Sequence, residues 1–149
     1  MNLVYSALAV AGGLALAAGI LTLATDDAPA PLAATGTVPA SAGAALVQVR
    51  LPDALSPGAV LGKTAFDARC AQCHGDNAAG RDGVGPPLVH RIYEPSHHGD
   101  MAFLMAVRNG VIAHHWRFGN MPAQPGLTDA DVAAIVAYVR ELQRANGID

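Results

Sequence analysis

Apolar positions along this chain fall into four blocks of different character. The first is unbroken. "LVYSALAVAGGLALAAGILTLAT", Leu3 to Thr25, carries no charged side chain and stops at Asp26 and Asp27. At about 1.5 Å per residue such a run makes a helix of roughly 35 Å, enough for a hydrocarbon layer of about 30 Å. The second block is "AVLGKTAFDARC", Ala59 to Cys70. Its spacing predicts a helix with Leu61, Ala65 and Phe66 on one face. Gly62, four before Phe66, leaves room for another helix to come close. The third, "GDMAFLMAVRN", Gly99 to Asn109, predicts a helix ended by Gly110 as C-cap. Met101 and Met105 stand four apart there and are expected to pack in the core. The fourth is the clearest: in "LTDADVAAIVAYVRELQRANG", Val132, Ile135, Val136, Val139 and Leu142 recur at helical spacing. Thr128 suits the N-cap, Asp129 and Asp131 the first turn, Arg140 and Arg144 the last turns, and Gly147 the stop.

What lies between these blocks is polar or broken. "APAPLAATGTVPASAGAA", residues 28 to 45, cannot bury enough surface to fold alone and reads as a tether. "LVQVRL", 46 to 51, suits a short strand or an extended arm, and "PDALSPG" breaks the chain again, so the folded unit is expected to start near Ser56 to Gly58. Residues 75 to 98 are mostly loop. The organisation predicted is therefore 1–27 a transmembrane anchor (or uncleaved signal), 28–57 an Ala/Pro-rich linker and 58–149 an all-α domain. No Lys or Arg precedes the apolar run, and it exceeds the usual length of a signal's apolar core, so an anchor is preferred to a cleaved signal. Ala28-Pro29-Ala30 is the candidate cleavage site. Both readings export the rest of the chain.

Composition alters this picture in two ways. Hydrophobic residues are 52 % but aromatics only 5 %, so the core is built from small side chains and has room for a large prosthetic group. Net charge is −3 with no basic run, which leaves no electrostatic footprint for nucleic acid.

Both cysteines fall in "CAQCHG", residues 70 to 75. Two thiols three apart at a helix end project to one side. They can add across the two vinyl groups of a haem, and the following histidine then offers its imidazole to the iron. A zinc site drawing on Cys70, Cys73 and two of the six histidines competes with this, as do a thioredoxin-like dithiol and a simple disulfide. The dithiol lacks its βαβ setting, and covalent haem is preferred. A sixth iron ligand would come from Met101, Met105, Met121 or the histidines outside the motif. Met121 stands in "FGNMPAQPG", a Gly- and Pro-rich loop where a methionine has little reason to be core.

These pieces together resemble a class I cytochrome c over roughly residues 58 to 149. The resemblance implies an all-α class I cytochrome c fold, three main helices and long loops around one covalent haem c, here behind an N-terminal transmembrane helix. Cys70 and Cys73 would hold the haem and His74 would bind iron. "GPPL", Gly85 to Leu88, resembles the family's Gly-Pro-x-Leu segment, in which the carbonyl of Pro86 would accept a hydrogen bond from the imidazole. "NMP" matches the distal loop and makes Met121 the second iron ligand. The last helix would cross the first near Gly62 and Phe66, with Tyr138 or Val139 at the contact. A lysine docking ring is missing: Gly58 to Asp149 holds Lys63 and seven arginines against nine carboxylates.

The function implied is one-electron transfer, without enzymatic turnover by this chain. It would serve as a membrane-tethered carrier or a haem subunit in a respiratory or photosynthetic chain. The implied partners are a quinol-oxidising complex, a terminal oxidase or a dehydrogenase. The implied place is the inner membrane, single-pass, with the haem domain on the periplasmic side, or the periplasm itself if the N-terminal segment is cleaved. Two alternatives stand beside it: a haem with a labile sixth ligand, for gas sensing or peroxidase-like chemistry, and a copper-linked redox protein using His97, His98, His114 and His115. Those four are read first as solvent-exposed loop residues. Trp116 and Arg117 have two readings, contact with haem propionates or ordinary packing.

Overall fold

The computed structural model describes residues 43–149. The proposed anchor at 1–27 and the first half of the linker lie outside them, and among the described residues no helix is long and apolar enough to cross a membrane. Four helices follow in order: α1 (Pro57–Arg69), α2 (Ala71–His74), α3 (Asp100–Asn109) and α4 (Asp129–Ala145), with 3₁₀ turns at Asp76–Ala78 and Arg91–Tyr93. Two isolated β-bridges, Arg81 with Gly85 and Val111 with Met121, replace any strand among the described residues. The all-α class holds, with α1, α3 and α4 as the main helices.

Helix α1 starts where Ser56 caps it through its side chain and proline takes the first turn. It buries Ala59, Gly62 and Phe66. A Cβ built on Gly62 would run into the carbonyl of Ala134 in α4, so the two helix backbones touch at that point. Phe66 meets Tyr138 edge-on, ring centroids 5.6 Å apart. Such a pair contributes about 0.5–1.5 kcal/mol beyond its buried area. The crossing expected at Gly62 and Phe66 is therefore present, with Tyr138 and Val139 both fully buried. Leu61 departs from expectation: it is 68 % exposed. The buried stripe runs 59, 62, 66, and Leu61 sits about 100° around the helix from Gly62.

Helix α4 carries a full capping box, Thr128 and Asp131 each bonding the other's backbone N–H. Its buried face is broader than the aliphatic stripe and includes Arg140 and Gln143. Arg140 pairs with Asp100 at 2.8 Å and donates to the carbonyls of Tyr93 and His98. Gln143 donates to the carbonyls of Leu88 and Tyr93. These two side chains, of which only Arg140 was placed from sequence, in the last turns of the helix, fasten the long loop ahead of α3. Met101 and Met105 do not pack in the core: they are 65 % and 47 % exposed. The face of α3 turned to α4 is instead the one bearing Phe103, Leu104 and Val107, beside Val132 and Val136.

The chain ahead of α1 is an extended arm and not a strand. Leu46 and Val47 both donate to the carbonyl of Ala79, Gly43 and Ala44 bond Asp82, and Val49 and Leu55 pack on the core. Asn146 clasps the backbone of Arg50 at both its N–H and its carbonyl.

Candidate functional site

Local structure around the cysteines follows from a sharp break. Helix α1 ends at Arg69, Cys70 joins it to the single turn Ala71–His74, and Gly75 at φ 72° then turns the chain. A side chain at 75 would strike the carbonyl of Gly80, so only glycine fits that approach. Asn77 and Ala78 follow with positive φ, 53° and 60°, a conformation costly for residues with a Cβ. The surroundings hold them there. Ala78 is fully buried, its carbonyl accepts from Leu88 N–H, and Asn77 accepts from the hydroxyl of Tyr138 at 3.1 Å. Helix α4 thus clamps the loop that follows the motif.

His74 and Pro86 are brought together as expected. His74 Nδ1 lies 2.9 Å from the carbonyl oxygen of Pro86. A carbonyl only accepts, so Nδ1 carries the proton and Nε2 keeps its lone pair for a metal. The ring is part-exposed, but the protein around it desolvates it enough to lower its pKa, against a smaller opposite pull from the Pro86 bond. The imidazole is therefore neutral near pH 7. Gly85 presses against the backbone of Cys73, where a Cβ would come within 2.5 Å of its carbonyl oxygen, and Pro87 is fully buried behind it. Both thiols are free. Burial pushes Cys70 up to about 11, so its sulfur stays protonated, while Cys73 is exposed.

Met121 comes from a different part of the fold. Its backbone pairs with Val111 through two hydrogen bonds of 2.9 and 3.0 Å, closing the loop 112–120. Its half-buried side chain packs beside the cluster of Val107, Val132 and Val136. The bond from Gln124 N–H to the carbonyl of Val107 holds the chain just beyond it.

The donor set suits a covalent haem. It offers two uncommitted thiols three residues apart, one imidazole with its proton fixed on the outer nitrogen, and a thioether on a braced loop. Two further observations agree. Val84 and Ile112, on the loops that carry Pro86 and Met121, are 40 % and 81 % exposed, apolar surface that a porphyrin could cover. The indole N–H of Trp116 is buried with no hydrogen-bond partner, and a propionate would supply one. Burial raises the pKa of the neighbouring Tyr93 phenol, and the Trp116 indole offsets part of the rise. Arg117 is exposed. The groove between α3 and α4, lined by Asp100, Met101, Leu104, Val136 and Arg140, contains none of these groups.

The sequence model of the cytochrome c family, described as "Cytochrome c", matches residues 59–143. Among curated proteins the chain is 43 % identical over 89 residues to the cbb3-type cytochrome c oxidase subunit CcoP of Azospirillum sp. (strain B510). It is 40 % identical over 88 residues to the subunit of that name from Azospirillum brasilense, and 34 % over 89 residues to that from Rhodobacter capsulatus. These alignments take in 54–56 % of this chain but only 27–29 % of the relatives, so the chain spans well under a third of their length.

Proposed function

Because this chain belongs to the cytochrome c family, we propose that it carries single electrons through a His/Met-ligated haem c. The family's cofactor is haem c, covalently held, and its iron supplies the ferric/ferrous couple. In this reading Cys70 and Cys73 form the thioether links and His74 Nε2 binds iron. Pro86 holds the imidazole in its tautomer and orientation. Met121 sulfur would be the second protein ligand to the iron. The carrying observation is the 2.9 Å bond from His74 to Pro86, which leaves one nitrogen free for iron. A neutral imidazole and a thioether add no charge, which favours ferrous iron and raises the reduction potential. With both ligands on, no iron position is left for substrate, so the chain acts as a relay and not as a catalyst.

The names of the relatives support a respiratory setting. In the proposed arrangement 1–27 anchors the chain in the inner membrane, 28–57 links, with its second half bound along the domain, and 58–149 presents the haem on the periplasmic side. The partners are a terminal oxidase and its electron supply. A weak redox encounter, typically under about 1,200 Å², suits a surface without a lysine ring.

The test is Met121→Ala in the mature holoprotein. The ferric thioether-to-iron charge-transfer band at the red end of the visible spectrum should disappear. The potential should fall, and the ferrous form should bind carbon monoxide rapidly. A parent protein that already lacks the band and binds carbon monoxide would instead carry a labile sixth site, and the relay reading would fail.

A further inference from the structure

Four histidines left unused by the haem site meet where two loops touch. His97 and His98 lie in the turn just after Glu94, and His114 and His115 in the loop closed by the Val111–Met121 pair. Neighbouring rings within this group have centroids 4.3 to 6.2 Å apart. One ligand nitrogen from each of His97, His98 and His115 falls within 4.8 Å of the other two. Nε2 of His97 and Nε2 of His115 face each other at 3.4 Å, longer than a good N–H···N contact and short enough to share an ion. His98 is oriented from behind. Its Nδ1 donates to the carbonyl of Ile92, which leaves Nε2 unprotonated, the outer-shell arrangement usual for a metal-binding histidine. The backbone of His98 is itself tied to α4, since Arg140 donates to its carbonyl, and its ring packs on Tyr93 at 5.2 Å.

We propose that His97, His98 and His115 form a site for one divalent first-row transition-metal ion of the imidazole-preferring kind, Cu(II) or Zn(II), separate from the haem iron. Three neutral nitrogens and no carboxylate exclude calcium and magnesium, which require oxygen. Because His97 and His115 are exposed, the remaining coordination positions fall to water, leaving the ion open on one side. A bound ion would join the 94–98 turn to the loop that ends in Met121.

The experiment uses tag-free, haem-loaded full chain, stripped with a chelator and titrated with Cu(II) and, separately, Zn(II). One equivalent of either should bind in addition to iron, copper more tightly. Electron paramagnetic resonance of the Cu(II) form should show coupling to three imidazole nitrogens. His97→Ala, His98→Ala and His115→Ala should each weaken binding by at least the roughly 10–100-fold seen when an outer-shell partner is lost. The haem spectrum should stay unchanged, and His90→Gln should bind like the parent. Absence of a stoichiometric site, or Cu(II) without imidazole coupling in the unaltered protein, would overturn the proposal. So would an affinity left intact when all three histidines are replaced.

Discussion

A methyl group at position 62 has no space to occupy. The Cα of Gly62 lies against the carbonyl of Ala134, a backbone group that cannot swing aside, so any side chain there forces α1 and α4 apart. Gly62→Val is expected to destabilise the folded domain by at least about 2 kcal/mol, the middle of the range for overpacking. Gly58→Ala, in the same helix with nothing within 4 Å, should be neutral or slightly stabilising. Thermal unfolding of the two holoproteins measures the contrast. Gly62 was readable in the sequence because its spacing to Phe66 marked a close approach, and the His74–Pro86 bond was readable because the resemblance supplied a partner twelve residues on. Leu61, Met101 and Met105 were misread because a helical pattern says which residues share a face but not which face another helix covers. The three clustered imidazoles lie up to 18 positions apart, and only the folded loops bring them together.

At the scale of elements, α4 organises the rest. Its N-terminus is held by Asp131, whose carboxylate accepts from both the hydroxyl and the backbone N–H of Thr128. Those bonds, side-chain first, lower the Asp131 pKa below the ordinary carboxylate range. A depressed acid contributes stability above its unfolded pKa of about 4 and loses it as pH falls through the folded value. Asp131→Asn should therefore lower the melting temperature at neutral pH, and the gap to the parent should close in strong acid. Paired melts at the two pH values check this. Further along, Arg140 and Gln143 stand four after Val136 and Val139, on the buried side. Only the carbonyls of the loop explain their burial.

For the whole molecule, the ends of the described chain are bound to one another. The arm from Gly43 to Arg50 joins the loop after the cysteine motif to the last turn of α4, through Ala79 and Asp82 at one end and Asn146 at the other. Asn146→Ala removes both bonds to Arg50 and one to the carbonyl of Leu142. A loss of about 1–2 kcal/mol is expected, read by denaturant unfolding followed in the haem band. The arm's packing could not be inferred from its residues alone, because alternation in a six-residue run does not say whether a partner is a strand or a loop carbonyl. The fold class, by contrast, followed from three long periodic blocks and the lack of any convincing strand pair.

Both main-chain polar groups of Met121 are spent on Val111, so the residue is moored at its backbone and free only in its own side-chain torsions. If its sulfur holds iron, this mooring would keep the surrounding loop in place and leave only side-chain torsions to adjust that ligand. A centre that rearranges so little needs little thermal activation to change oxidation state. The speed of exchange with a partner would then be limited by how often the two proteins meet.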